Sequence, residues 1–161
     1  MKISLLLILF SLFGFINAQT KVTVLPFSNV SGEIERNIIA YDLQETIYAL
    51  LENQVGEEVE LVPLEEVEFE LSELNLDPSN PQYESDLWKA IANLGVKKVL
   101  LGSYDHDNGK YLVNAYVYDS RMKLPHPKYQ SKDHFIEIDK VTELSSKIVE
   151  DLLPAIDKSK K

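Results

Sequence analysis

The sequence predicts a single α/β domain in which about four helices pack on a mixed, five-stranded sheet. Apolar segments with strand and helix spacing alternate along the first half of the chain, as in parallel strands joined by helices. Beyond residue 98, strand-like runs follow one another with turn residues between them, which is typical of antiparallel strands. We therefore expect a parallel β-α-β part followed by an antiparallel C-terminal meander.

The first half of the chain supplies two strands and three helices. Residues 22–28 form the first strand, and residues 59–62 alternate as the second. Residues 65–74 form a short acidic helix, and residues 84–94 form a further helix. Between the two strands lies a helix over residues 33–54. Its inward apolar stripe consists of Ile39, Leu43, Ile47 and Leu50.

The second half supplies three strands and the last helix. Residues 99–101 form an apolar central strand, and Asn108-Gly109 predicts a hairpin turn into a strand over residues 111–119. A connection over residues 121–127 leads to a more polar edge strand over residues 128–137. The last helix follows this strand. The expected caps of the first and last helices are Ser31 and Asp139.

Residues 1–18 have the pattern of a cleaved signal peptide. Lys2 precedes an apolar run over residues 3–16, and the small Ala18 stands at the expected cut. The run of 14 residues is short for a membrane-spanning helix, which needs about 20. The mature domain would then comprise residues 19–161, with a short basic tail from residue 158.

Charge and cysteine content limit the kinds of partner and the compartment that we expect for this protein. The formal net charge is -10, and residues 37–88 contain 14 acidic residues but no Lys or Arg. This disfavours nucleic-acid binding, which needs a basic surface. The acidic stretch either attracts a basic partner or only solvates helix and strand faces. Without cysteine there is no thiol for a lipid anchor, so we expect a soluble exported protein, periplasmic in a bacterium with two membranes.

Catalytic, metal and cofactor motifs do not stand out. The chain has no cysteine and no G-x-S-x-G sequence, and its three histidines are His106, His126 and His134. Its glycines are scattered rather than grouped in a phosphate-binding loop. Residues 105–109 fail the EF-hand spacing, because the twelfth position is Tyr116 instead of glutamate. We expect a non-enzymatic protein without cofactor or metal. A small hydrolase that uses paired carboxylates is the weakest alternative.

Several short motifs, taken in order, resemble the amino-terminal domain of the envelope protein TolB. They are Pro26-Phe27 at a strand end, the apolar pair and Asp-Leu within residues 38–43, the Leu-Gly-Val turn and strand within residues 94–102, the Asn108-Gly109 hairpin, and Asp119 at the end of the next strand. Similar openings occur in FlgO-like and CsgG-like envelope proteins. The sequence departs from TolB in having no β-propeller after the domain, and it is shorter than a CsgG-like pore subunit.

The resemblance implies a non-catalytic, exported protein-interaction module that assists envelope assembly or transport. Its partner would be another envelope protein, and a basic one would suit the acidic surface. An alternative is a subunit of a larger CsgG-like secretion assembly, which would require homo-oligomerisation.

Two features supply candidate partner-binding residues. The first helix has a second apolar stripe on the side away from its core stripe, which either binds a protein partner or packs against the last helix. This stripe consists of Ile34, Ile38, Tyr41 and Tyr48. The connection after residue 120 is basic, and it is either a second contact site or a solvated loop. Its candidates are Arg121, Lys123 and Lys128.

The signal-peptide pattern predicts that the native protein lacks residues 1–18. Mass spectrometry of the protein purified from its own cells should give a chain that starts at Gln19 or an adjacent residue, because the cut follows the small Ala18. An intact Met1 on a cytosolic protein would refute both the export and the compartment.

Overall fold

The computed structural model describes residues 19–161, and its centre is a mixed six-stranded sheet. The strands are ordered β3-β1-β4-β5-β6, and β2 pairs with β4 beyond the end of β1. Pairs among β1, β2, β3 and β4 are parallel, whereas β4, β5 and β6 form an antiparallel meander. The strands are β1 (Thr20–Val24), β2 (Ser28–Asn29), β3 (Val59–Leu61), β4 (Lys98–Asp107), β5 (Lys110–Asp119) and β6 (Leu124–Ile136).

Four helices cover the two faces of this sheet, so the predicted fold class is confirmed. They are α1 (Ile38–Glu52), α2 (Leu64–Glu73), α3 (Tyr83–Asn93) and α4 (Val141–Ile156). Helices α1 and α4 pack together on one face, over Val22, Val24 and Leu100. Helices α2 and α3 cover the other face, over Leu25 and Val99. The predicted signal peptide lies outside the described residues. Within residues 19–161, no helix is long and apolar enough to cross a bilayer.

The sixth strand arises because the first predicted strand is divided in two. Pro26 has no N–H to donate to a neighbouring strand, so regular pairing stops between β1 and β2. The Pro26 carbonyl accepts a hydrogen bond from the buried Tyr83 hydroxyl (2.9 Å). Phe27 is fully buried, and its ring lies directly on Gly102 of β4, where a Cβ atom would overlap the ring. The chain can therefore pair with β4 on both sides of residue 102, through β1 and then β2, only because residue 102 has no side chain.

The predicted hairpin between β4 and β5 is confirmed. Asn108 and Gly109 both have positive φ angles, 50° and 81°, as a two-residue hairpin turn of the I′ type requires. In β5, alternate residues are buried as expected, and those facing α1 and α4 are Tyr111, Val113, Ala115 and Val117.

Two details of the prediction were wrong at helix starts. Ser31 does not cap α1: the helix begins after Asn37, and the Ser31 hydroxyl donates to the Asn29 side chain (2.7 Å). Asp139 does not cap α4, which begins after Lys140. In both cases a 3-10 turn precedes the helix and delays its start, over Ile34–Arg36 and Ile138–Lys140.

The connection expected over residues 121–127 is also shorter than predicted, because β6 begins at Leu124. Two prolines, Pro125 and Pro127, lie inside this strand, which is tolerated because β6 is at the edge of the sheet. The register of β6 against β5 shifts twice. One shift lies beside Asp133, which has a positive φ of 61° and donates its N–H to the Asn114 side chain (2.8 Å).

Replacing Gly102 with Ala tests the contact between Phe27 and β4. The added methyl group would overlap the ring, so we expect the free energy of unfolding to fall by about 1–3 kcal/mol, as in other overpacked cores. Urea unfolding followed by circular dichroism would measure the change. Ser103→Ala, in the same strand, is the control and should change the free energy of unfolding by less.

A second substitution identifies the cause. Phe27→Leu removes the ring, so adding Gly102→Ala to it should cost less than Gly102→Ala alone. Equal costs in the two backgrounds would show that the ring does not impose the glycine.

Candidate partner-binding surfaces

The second apolar stripe, which we call the α1 surface, consists of Ile38, Tyr41 and Tyr48 of α1 and of Ile34 in the 3-10 turn before it. Ile34 and Ile38 are 68% and 65% exposed, and Tyr41 is 37% exposed. Tyr48 is partly buried. Helix α4 packs against the core stripe of α1, around Leu43 and Ile47, and does not cover this surface.

The tyrosines of the α1 surface lie beside acidic groups of α2 and the loop after it. Burial, and next the charges of Asp77 and Glu68, raise the pKa of Tyr41. Burial and neighbouring carboxylates, Glu65 of α2 among them, raise the pKa of Tyr48. The α1 surface therefore combines exposed apolar side chains with a negative surround, which suits a partner that has both apolar and basic groups.

The segment that leads into α1 is fixed by hydrogen bonds rather than by its own helix cap. The Asn29 side chain donates to Asn37 (3.0 Å), and the Tyr104 hydroxyl donates to the Arg36 carbonyl (2.9 Å). The Arg36 guanidinium in turn donates to the Tyr111 hydroxyl (2.9 Å). These contacts tie the segment to β2, β4 and β5, so the exposed isoleucines are held in place.

The basic candidates do not form one surface. Arg121 and Lys123 border a groove of about 630 Å³ on the side of α3, and the Lys123 ammonium lies 5.3 Å from the centre of the Trp88 ring. Lys128 is in β6 and lies over Tyr129, with 4.8 Å between its ammonium and the ring centre. The sequence predicts one basic site because these residues are close in the chain. In the fold, Arg121 and Lys123 lie on the side of α3, whereas Lys128 lies within β6 beside Tyr129.

Another pocket, missed by the sequence analysis, lies at the C-terminal end of α4. It has a volume of about 340 Å³ and is lined mainly by apolar side chains, among them Val117, Leu124 and Ala155. Lys98 and His126 also line it. The only signal in the sequence was that apolar Met122 and Leu124 interrupt a basic segment.

The end of α4 beside this pocket is held by two polar side chains, the half-buried Lys98 and the buried Asp157. The Lys98 ammonium donates to the carbonyls of Ala155 and Ile156, and burial, followed by Lys158, lowers its pKa. The Asp157 carboxylate accepts the N–H of Gly56 (2.8 Å). This hydrogen bond ties the loop after α1 to the C-terminal segment. Burial acts to raise the pKa of Asp157, but this hydrogen bond and those from Ser159 outweigh it and hold the pKa below its ordinary value.

The fold also brings a serine, a histidine and an aspartate into contact, which the sequence did not indicate. The Ser131 hydroxyl lies 2.8 Å from His134 Nε2 and donates to Asp151 (2.9 Å). In a hydrolase triad the histidine lies between the serine and the carboxylate, so that it can accept the serine proton. Here the serine is in the middle, and it is fully buried. The hydrogen bonds of Ser131 therefore link β6 to α4 structurally. Among residues 19–161, no three His, Asp or Glu side chains converge as a metal site would need.

Comparison with solved structures shows that bacterial lipoprotein domains share this fold. The LpoB C-terminal domain from Salmonella enterica aligns with a TM-score of 0.52 at 16% identity, over 83% of this chain and 93% of that domain. Lipoprotein GNA1162 from Neisseria meningitidis aligns with a TM-score of 0.56 at 14% identity, over 85% of this chain and 99% of that protein. TolB from Acinetobacter baumannii aligns with a TM-score of only 0.42 over 28% of its chain. Neither protein-family models nor curated protein sequences gave a match.

The low pKa of Asp157 predicts a contribution to acid sensitivity. Because the pKa is lower in the folded than in the unfolded state, the stabilisation is present at neutral pH and is lost as the pH falls through the folded-state pKa. Asp157→Asn should therefore lower the free energy of unfolding at pH 6 and make it fall less steeply towards pH 3.

Urea unfolding over this pH range measures the effect. Asp139→Asn, an exposed carboxylate in the turn before α4, is the matched control and should leave the pH profile close to that of the wild type. An unchanged profile for Asp157→Asn would refute the role of the Gly56 hydrogen bond.

Proposed function

We propose that this protein is a non-catalytic, exported interaction module of the cell envelope, and that the α1 surface binds a protein partner. The exposure of Ile34 and Ile38 is the observation that supports this most directly. Exposed large apolar side chains next to one another on a fixed segment are unfavourable in water unless another molecule covers them. The partner would be an envelope protein that assists assembly or transport.

The compartment is part of the same proposal and has two supports. The first 18 residues have a signal-peptide pattern, so the domain would act outside the cytoplasm, in the periplasm of a bacterium with two membranes. The domain also shares its fold with the LpoB C-terminal domain and with lipoprotein GNA1162.

The charges around the α1 surface define the kind of partner. Asp77 and the glutamates of α2 lie next to Tyr41 and Tyr48, so a basic rim on the partner would face them. Such opposed charges raise the association rate more than they raise the affinity, and salt screens them. Tyrosine is also over-represented among residues that dominate binding energy.

Replacing both Tyr41 and Tyr48 with Ser tests the proposal. We expect capture of the envelope partner by crosslinking to fall at least fivefold, because the aromatic contacts are lost, while the unfolding free energy changes by about 1 kcal/mol or less, as for surface positions. The measurement is a crosslinking pull-down from the native envelope with quantitative mass spectrometry. Raising the salt concentration should slow capture by the wild type.

Phe69→Ser is the matched control, because Phe69 is an exposed aromatic residue of α2 (66%) outside the α1 surface. It should leave capture unchanged. Equal capture by the tyrosine variant and the wild type would refute the α1 surface as the binding site. A large loss of stability in that variant would mean that the tyrosines act in the fold.

A further inference from the structure

The pocket at the C-terminal end of α4 has the size and lining of a ligand site. Its volume of about 340 Å³ lies within the usual range for such sites, about 300–1,000 Å³. Most of its lining residues are apolar or aromatic, and three are ionisable: Lys98, His126 and Asp119. One oxygen of the Asp119 carboxylate already accepts the backbone N–H groups of Arg121 and Met122. Met122 and Leu124 are 65% and 60% exposed, so the apolar wall continues onto the outer surface. An apolar group of a ligand would fill the pocket.

Lys98 places a positive charge at this apolar wall. Its ammonium group has three N–H donors, and two of them are used by the carbonyls of Ala155 and Ile156. The third donor has no hydrogen-bond partner among the described residues, and a ligand in the pocket that Lys98 lines would be able to accept it. Since burial already disfavours the charged form of Lys98, a negatively charged ligand would offset that cost.

His126 supplies a second donor. Its Nδ1 atom accepts the backbone N–H groups of Lys128 (3.3 Å) and Tyr129 (3.2 Å), so the ring proton is on Nε2. Burial, and after it the charges of Lys98, Lys161 and Lys128, lower the pKa of His126. The neutral ring with a fixed tautomer has one N–H donor, and His126 lines the same pocket as Lys98.

We propose that this pocket binds the C-terminal carboxylate of a partner polypeptide whose last residue is large and apolar and whose preceding residues are acidic. The apolar side chain would enter the pocket, and the carboxylate would accept hydrogen bonds from Lys98 and His126. This inference rests on the proposed function, because it names a chemistry for a protein partner.

The surrounding charges favour a peptide over a fatty acid. Lys128, Lys158 and Lys161 lie close enough to Lys98 or His126 to affect their pKa values. A fatty acid carries a single negative charge, and hydrogen bonds from Lys98 and His126 would be enough to bind it. Near Lys98 the lysines outnumber the carboxylate of Asp157 that acts on it, so acidic residues before the C-terminus of the ligand would meet unbalanced positive charge.

Titration of the ¹⁵N-labelled mature chain, residues 19–161, tests the assignment by NMR. The probes are the peptide Glu-Asp-Glu-Ala-Leu with a free C-terminus, the same peptide as its C-terminal amide, and dodecanoate. We expect the free acid to bind at least tenfold more tightly than the amide, with shifts of the amide signals of Val117, Leu124 and Ala155. Leu124→Glu should weaken binding at least tenfold, because it adds a negative charge at the pocket.

Phe69→Glu, the same change at an exposed apolar residue elsewhere, should keep the affinity within twofold. Equal affinities of the acid and the amide, shifts away from the pocket, or binding of dodecanoate alone would each overturn the proposal. Failure of peptide binding would do so even when envelope capture through the α1 surface succeeds. Failure of that capture would refute the proposed function and leave a positive titration standing as evidence for the pocket.

Discussion

The contact between Phe27 and Gly102 is the constraint on which the sheet depends. Strand β4 is the neighbour of β1, β2 and β5, so every other part of the sheet is placed relative to it. The chain leaves β1 at Pro26, where backbone pairing fails, and it returns to β4 at β2. The ring of Phe27 fills the gap, and a side chain at residue 102 would prevent this. The segment that presents Ile34 starts directly after β2, so the placement of the α1 surface also follows from this contact.

The two candidate sites differ in charge because they lie at different parts of the sheet. The α1 surface is next to α2 and the loop after it, where acidic residues are concentrated. The pocket lies where α4, β5 and β6 end, close to the lysines of the C-terminal segment. An overall net charge of -10 therefore hides a basic region. Charge distribution in the folded chain, more than total charge, determines which partners each surface attracts.

Sequence patterns predicted the elements well where local spacing or one residue pair decides the structure. Helical spacing gave the buried stripe of α1, with Leu51 buried more completely than the expected Leu50. Asn108-Gly109 gave the hairpin because few other pairs accept two positive φ angles. The helix starts and the start of β6 were missed, since 3-10 turns and edge-strand prolines depend on tertiary contacts rather than on local preference. The pocket was missed for the same reason: Lys98, His126 and Ala155 are far apart in sequence and meet only in the folded chain.

The irregular β6 strand also affects how the protein behaves at high concentration. An edge strand offers unpaired N–H and C=O groups to any other chain, and a long regular edge of this kind promotes aggregation. In β6 the prolines at 125 and 127 remove two donors, two register shifts bend the strand, and Lys128 and Lys132 carry charge along it. At the opposite edge, β3 has only three residues. Both edges therefore disfavour the addition of a further strand, so association of this domain through its side-chain surfaces is favoured over association through its sheet.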